Sequence, residues 1–541
     1  LSARRARLDS IFVVRILVAD PLAEDGLARL RREGEVTVAT KLAESELVDR
    51  IGDYDALVVR SETKVTAPIL EAAKRLRVVG RAGVGVDNID VPAATRHGIL
   101  VVNAPRGNIV AAAEHTIALL FAAARWVPQA DASIRGGEWT RSKFLGVEVR
   151  GKTLGVIGLG NVGSEVAKRA HGLEMDVIAF DPVVAVDRAE LFNVELVQLD
   201  ELLRRADFVS VHVPLVEANR GLIAARELAA MKPTARLINT ARGGIVDEAA
   251  LYQALKAGHP AAAASDVFEQ EPPGENPLFT LPNFIATPHI AASTAEAQAS
   301  VAFDVAEEVA AVLAGELPRY AVNAPALPPE ELAYLRPFAH LTERLASLHT
   351  QLFGGRAGVI ELDFEGQLAH HDTNLLVASA IKGVMQNFTE DRINAVNARL
   401  IASGRGMKIV ERKAAARGSY TSLITMRMHG HELSGTVLMD EPRVVRIDSF
   451  RLDMVPEGRF LVSRHSDQPG IVGRVGTILG EHDVNIASMM VGRDAPRAKA
   501  MMILAIDDPV GEALLERLHE VPGMSDLHYV ELSPTNSEAS P

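Results

Sequence analysis

The chain has no cysteine among its 541 residues. Disulfides, zinc–thiolate sites and thiol nucleophiles are thereby excluded and no metal site is expected, while the compartment stays open. A basic surplus is missing too: 57 Lys and Arg stand against 70 Asp and Glu, a formal net charge of -13. General affinity for phosphate backbones is disfavoured, so no nucleic-acid partner is expected and any anionic ligand must be held by local cations. Aromatic residues are scarce at 4%, yet 48% hydrophobic and 23% charged residues give the balance of a globular protein. No apolar run approaches the roughly 20 residues of a membrane span, so no membrane partner is expected and the expected location is cytoplasmic. The chain starts on Leu1, and Ser2–Arg7 is arginine-rich. A transit peptide is one reading of that start, but the apolar stretch Ile11–Ala19 already reads as a strand, which favours a misplaced start.

What is present is alternation. Short β-branched runs at Arg15–Ala19, Val36–Ala39, Ala56–Arg60, Val78–Arg81 and Leu100–Asn103 are separated by amphipathic helical patterns. That order predicts a parallel, doubly wound α/β sheet. Ile109–Arg125 is an alanine-rich helix without internal Gly or Pro. The alternation restarts at Thr153–Ile157 and runs to Phe284–Thr287, and a second long helix is expected over Thr294–Ala314. Two α/β units divided by two long helices suggest one lobe inserted in the other. Leu317–Leu332 carries four prolines and reads as a linker. Leu335–Pro456 reads as mixed α and β. Arg459–Leu532 reads strand, helix, strand, strand, helix, strand, the order of a ferredoxin-like module.

The clearest motif is the turn Gly158-Leu159-Gly160-Asn161-Val162-Gly163, between the strand Thr153–Ile157 and an expected helix Ser164–Gly172. Gly158 permits the tight turn, Gly160 lets a pyrophosphate approach the backbone, and Gly163 lets helix pack on strand. Amides at the helix start then meet the phosphate charge. Asp181 follows the strand Asp176–Phe180, where a carboxylate accepts from ribose hydroxyls and repels a 2′-phosphate. NAD is therefore expected rather than NADP.

Three later segments end strands, and the carboxyl ends of strands face the ligand crevice in such sheets. They are Asn239–Gly244, Ser265–Pro272 and Thr287–Thr294. Oxidising a hydroxyl needs a group that takes its proton while hydride leaves the same carbon, and histidine suits that near neutral pH. A carboxylate steadies the imidazolium, and an arginine pins an α-carboxylate through paired hydrogen bonds. Read singly, His289 fits a capping or core histidine equally well, Arg242 could pin a turn, and Glu271 could be surface decoration.

Together the segments resemble the D-2-hydroxyacid dehydrogenase family from about Arg15 to Gly315. The resemblance implies His289 as acid/base, Glu271 as its partner and Arg242 as anchor of the substrate carboxylate and carbonyl. It places Asp266 near the nicotinamide carboxamide, and Pro214, Thr240 and Ala292, with Asn161 and Val162 of the turn, along the cofactor. Arg60-Ser61, Arg81 with the following Ala82-Gly83-Val84-Gly85, and Asn108 resemble the substrate side of the family's phosphoglycerate-oxidising branch. On that reading Arg60 and Arg81 neutralise a phosphate, Val84 and Gly85 amides hold the carboxylate, and Asn108 adds a hydrogen bond. Arg141 and Lys143 match a segment that reaches a neighbouring subunit's site, and read alone they are an exposed basic loop.

The tail Phe460–Gly470 with Val484-Asn485-Ile486 resembles an ACT domain, a regulatory module that binds amino acids between subunits. The resemblance implies L-serine as effector at His465, Asp467 and Asn485, although some relatives carry an asparagine or an aromatic residue where Asp467 or His465 stands. Arg443, Arg446 and Arg451 in the preceding domain could hold an anion or be ordinary surface charge. The expected domains are 11–107 with 292–322 for substrate, 108–291 for NAD, an intervening α+β domain at 323–456, and the ACT domain at 457–541. The expected activity is NAD-linked oxidation of 3-phospho-D-glycerate, the entry to serine synthesis, by a homo-oligomer, a tetramer on the family pattern. Another hydroxyacid dehydrogenase, such as a hydroxypyruvate or glyoxylate reductase, and a regulatory NAD-binding protein are the alternatives.

Overall fold

The computed structural model describes residues 13–532, apart from 317, 325–326, 356–357, 387, 390–392 and 417. The arginine-rich start, Ile11 and Phe12 of the expected first strand, and the last nine residues of the expected ACT domain lie outside the described residues.

The first sheet has five parallel strands in the spatial order Glu35–Val38, Arg15–Val18, Ala56–Val59, Val78–Arg81, Leu100–Asn103. Its central strand, Ala56–Val59, is buried throughout, as a parallel strand covered by helices on both faces must be. One of those helices, Ala295–Leu313, comes from far along the chain. Val301, Val305 and Val309 pack in one cluster with Ile16, Val18 and Val102. Gly80 makes this possible, since a Cβ there would sit 2.7 Å from the Val309 side chain. After that helix the chain pairs again with the first sheet: Val322 N donates to Val101 O at 2.7 Å, and Val101 N donates to Asn323 Oδ1 at 2.9 Å. One lobe is inserted in the other.

The inserted lobe has seven parallel strands, ordered Phe284–Ala286, Ala262–Ser265, Arg236–Asn239, Phe208–Val211, Thr153–Ile157, Asp176–Phe180, Glu195–Leu196. The sequence order reverses at Thr153–Ile157, the topological switch point at which such sheets bind ligands. The helix Ile109–Arg125 buries an alanine face against this sheet and stops at Trp126, whose φ of 59° is left-handed. A second helix, Val127–Arg135, leaves at 63°. Among the described residues no single helix is long and apolar enough to cross a membrane.

Two boundaries lie earlier in the chain than the sequence predicts. The helix after the glycine turn runs over Asn161–Gly172, with Gly160 as its N-cap, so the motif's last residues are its first turn. The linker also ends early, because a helix spans Pro329–Phe353. Proline at the first helical position surrenders only an N–H that has no partner there, so the proline cluster runs straight into a helix start.

That long helix covers a six-stranded sheet built from 359–454. The last module has four strands ordered Ile486–Arg493, Lys499–Ile506, Gly458–Ser466, Met524–Leu532, with helices Ile471–Glu481 and Glu512–His519 on one face. Its other face is not free. Phe460, Val462, Ile503 and Val530 join the core formed by Leu345, Leu348 and Ile447 of the preceding domain. Gln351 clamps the edge strand, donating to Glu531 O at 3.0 Å and accepting from Glu531 N at 2.9 Å.

Candidate active site

At the switch point Gly158 has φ +93°, and a Cβ there would lie 2.7 Å from His212 O. A Cβ on Gly163 would lie 2.0 Å from Gly158 O, so helix and strand approach as closely as bare backbone allows. Around Gly160 nothing stands within 4 Å of the missing Cβ. The turn is thus closed on its packing side and open where a pyrophosphate would lie, and the residues fit a dinucleotide. Asp181 is built into the same turn: Oδ2 accepts from Leu159 N at 2.9 Å, and Oδ1 from Val183 N at 2.9 Å and Val184 N at 3.1 Å. Its negative charge is fixed at the strand end. Thr240 is buried against Thr116, with Oγ1 atoms 2.7 Å apart, and the Pro214 carbonyl accepts from Asn219 Nδ2 at 2.9 Å.

His289 Nδ1 and Glu271 Oε2 are 2.7 Å apart. Glu271 Oε1 accepts from Phe268 N at 3.0 Å. Partial burial pushes the Glu271 carboxyl up, but the hydrogen bond and charge of His289, helped by Phe268 N and Arg242, outweigh it and hold the group below its ordinary range. Glu271 is therefore a carboxylate, an acceptor only, so His289 Nδ1 donates to it and Nε2 is the ring nitrogen left for another partner. His289 itself has φ +52°, unusual for a non-glycine residue. Asp266 holds it there. This wholly buried carboxylate accepts from Thr287 Oγ1 at 2.6 Å, Ile290 N at 2.9 Å and Ala291 N at 2.8 Å, and the His289 amide donates to Asp266 O at 2.8 Å. Burial alone would raise the Asp266 carboxyl; the hydrogen bonds from His115, Thr287 and the two amides bring it below its usual range. Both oxygens are thus engaged by the 287–291 loop, and a nicotinamide carboxamide would have to share them.

The expected substrate cations meet where the carboxyl edges of the two sheets face each other. Arg81 ends a first-lobe strand, and its Nε is buried with no hydrogen-bond partner among the described residues. Burial, then Arg242 and Arg60 nearby, push its guanidinium down to about 10, with Asp87 and Asp20 opposing. Arg242 donates through Nη1 to Ala241 O at 2.7 Å and through Nε to Asp87 Oδ2 at 3.2 Å. Arg60 N is held by Asp20 Oδ2 at 2.6 Å, while Ser61 is exposed beside it. Asn88 Nδ2 ties this loop to the next, donating to Arg60 O at 2.8 Å and Thr63 O at 2.7 Å. Asn108 caps the long helix without using its side chain, and its buried Oδ1 has no partner among the described residues. Arg242 lies against Gly85 and Arg81 against Gly83, and Arg60 and Arg242 are both close enough to depress Arg81. Such a cluster calls for an anion.

Comparison with known proteins agrees with this geometry. Residues 117–291 match the model of the D-isomer specific 2-hydroxyacid dehydrogenase NAD-binding domain, 334–448 the D-3-phosphoglycerate dehydrogenase intervening domain, and 459–523 the ACT domain. The D-3-phosphoglycerate dehydrogenase of Archaeoglobus fulgidus is 45% identical, across 96% of this chain and all of its own. The chain belongs to the D-3-phosphoglycerate dehydrogenase family. The Bacillus subtilis enzyme of that name is 39% identical over 96% of this chain and 99% of its own length. Among solved structures, Aquifex aeolicus D-lactate dehydrogenase complexed with NAD and lactic acid is similar at 27% identity and a TM-score of 0.52, covering 57% of this chain and 99% of that one.

The other expected site residues of this family member divide. Arg141 lies over the ring of Trp139, which is 74% exposed, and Lys143 pairs with Glu138 at 3.1 Å. Ala292 follows the 287–291 loop and makes no hydrogen bond among the described residues. In the ACT domain His465 is buried with Nε2 unpartnered among the described residues. Asp467 close by accepts from Arg497 N at 2.8 Å and lies 3.4 Å from Arg493 Nη1; that amide, then Arg493, hold its carboxyl below the usual range. Asn485 is elsewhere. It precedes Ile486, which pairs with Ile506, while His465 pairs with Ala500 at the far end of the same ladder, and its side chain donates to Asp507 at 2.6 Å. Arg443 and Arg446 are committed to Glu441, Asp453, Ser434 and Glu432. Sequence reasoning missed Asp20, Asp87, Asn88 and His115, which contact Arg60, Arg242, Arg60 and Asp266 in turn.

Proposed function

We propose that this protein oxidises 3-phospho-D-glycerate to 3-phosphooxypyruvate with NAD, the first step of L-serine synthesis. The observation that carries the substrate is Arg81: a half-buried guanidinium, its Nε buried and unpaired among the described residues and crowded by two other cations, costs the fold free energy unless an anion neutralises it. An unphosphorylated acid brings one negative charge, which Arg242 and the Val84 and Gly85 amides can take. A phosphoester brings the further charge that Arg60 and Arg81 require.

Gly158, Gly160, Gly163 and the first turn of the helix Asn161–Gly172 would hold the pyrophosphate of NAD, and Asp181 its ribose. When bound, NAD supplies the hydride acceptor. Arg242 orients the carboxylate and the carbinol oxygen, and as that oxygen becomes a carbonyl the guanidinium remains its hydrogen-bond donor. His289 Nε2 takes the hydroxyl proton, and Glu271 balances the positive charge that the ring acquires. The loop pinned by Asp266 keeps the ring where it can do so.

The effector assignment also stands as a proposal. His465 and Asp467 present a hydrogen-bonding group and a carboxylate fit for the ammonium of L-serine, and Asn485 can join them only from a second copy of the chain. The exposed Trp139 and Arg141 likewise suit contact with a neighbouring subunit, and a tetramer is the expected assembly.

The experiment is a specificity ratio. NAD-linked kcat/KM is measured for 3-phosphoglycerate and for D-glycerate in the wild type and in Arg81→Ala. The wild type should prefer the phosphorylated acid strongly, and the variant should lose most of that preference. Equal preference in the two proteins would remove the phosphate reading.

A further inference from the structure

Arg242 is asked to receive a substrate carboxylate, yet a free arginine side chain samples many rotamers, and its planar donor fork is useful only when its orientation is set. Two of its edges are already fixed. Nη1 donates to the Ala241 carbonyl at 2.7 Å, and Nε donates to Asp87 Oδ2 at 3.2 Å. The third edge is defined by what lies beneath it: a Cβ on Gly85 would be 2.2 Å from Nη2 and 2.7 Å from Asp87 Oδ2. Both side chains therefore lie directly against the bare backbone of residue 85.

The contact also spans the lobes. Asp87 follows the strand Val78–Arg81 of the first sheet, and Arg242 follows Arg236–Asn239 of the second. The other acid near the cations, Asp20, is buried and spent, accepting from Arg60 N at 2.6 Å, Thr63 N at 3.2 Å and Thr63 Oγ1 at 2.6 Å. Asp87 is different. Its side chain is 69% exposed, and an ion pair that open contributes little to stability. Among the described residues it is the one carboxylate hydrogen-bonded to Arg242.

We propose that Asp87 is a positioning residue for Arg242, holding the guanidinium by its Nε edge so that Nη2 lies over Gly85 and faces the incoming carboxylate. The assignment rests on the dehydrogenase reading above, but on the carboxylate side of it and not on the phosphate. Gly85 and Asp87 form one device: the glycine lets the guanidinium descend to the backbone, and the acid fixes which edge it presents. The carboxylate is common to phosphorylated and unphosphorylated 2-hydroxy acids, so the device serves both.

The test uses the full chain and three proteins: wild type, Asp87→Ala and Asp87→Asn. Steady-state NADH consumption is followed with 3-phosphooxypyruvate and, separately, with unphosphorylated hydroxypyruvate, together with NADH affinity and unfolding temperature. The expected result is a loss in Asp87→Ala of about tenfold or more in kcat/KM, by the same factor on both substrates. NADH affinity and unfolding temperature should be unchanged. Asp87→Asn keeps an oxygen for the Arg242 Nε–H and should recover to within about threefold of wild type. Wild-type kinetics in Asp87→Ala would overturn the proposal. So would an asparagine variant as damaged as the alanine one, or a defect confined to the phosphorylated substrate, which would place Asp87 on the phosphate side. If the wild type preferred hydroxypyruvate, the substrate reading would fail while the Asp87 comparison still decided its own case.

Discussion

Replacing Glu271 with glutamine isolates the charge that the structure sets beside His289. The amide keeps nearly the same shape but has one oxygen in place of two: turned to His289 Nδ1 it still accepts there, a contact now at 2.7 Å, and its NH2 then replaces the acceptor of Phe268 N, now at 3.0 Å. What it removes is the negative charge facing the imidazolium that forms when the substrate proton arrives. A hydrogen bond to a charged group is worth about 1.5–3 kcal/mol. The His289 and Glu271 side chains are 44% and 37% exposed, so solvent screening argues for the lower end. About 1.5 kcal/mol is roughly a tenfold fall in kcat. The glutamine appears in neither the cofactor turn nor the cation cluster, so NAD affinity and the KM for the hydroxy acid should stay within about twofold. Stopped-flow and steady-state turnover with NAD titrations would measure all three. An unchanged kcat, or a fall carried entirely by KM, would refute the idea that this carboxylate acts by balancing charge on His289.

Other consequences follow from the same contacts. Asp266→Asn should destabilise the chain by about 2 kcal/mol, since two amides and a hydroxyl lose a buried charged acceptor. It should also flatten the acid limb of unfolding. The folded carboxyl lies below its unfolded value, so its contribution is full above about pH 4 and drains away as pH falls through the folded value; urea midpoints below pH 4 test this. Asp181→Ala should weaken NAD and narrow the gap to NADP, measured as the ratio of kcat/KM for the two cofactors, because the fixed charge that repels a 2′-phosphate is gone. Gly163→Ala should cost about 1–3 kcal/mol or more in unfolding free energy, as the new Cβ would fall 2.0 Å from Gly158 O.

Local patterns carried well into the structure and distant ones did not. The glycine turn, Asp181 and the three strand-end segments could be read because each is a short strand–turn unit whose chemistry sits within a few residues. The pairing of His289 with Glu271 came from the family resemblance that these segments carry, and the structure sets the two side chains 2.7 Å apart. That His289 occupies a left-handed conformation under Asp266 did not follow, because the loop amides that need Asp266 are over 20 residues away in sequence. Asp87 and Arg242 are 155 residues apart, and nothing near Asp87 marks its partner beyond the glycine turn it follows. Pro329 misled in the other direction, a helix starter standing in a proline cluster that reads as linker. Asn485 was assigned with His465 by resemblance, and the ladder register then set them at opposite ends of one sheet.

The measurement that bears most directly on the account is NADH formation by the purified chain given NAD and 3-phosphoglycerate, wild type beside His289→Ala, with NAD binding followed in both. The account predicts turnover in the wild type, its near-complete loss in the variant, and equal NAD affinity in the two. Turnover on unphosphorylated hydroxy acids alone, or turnover of phosphoglycerate that survives the loss of His289, would contradict it.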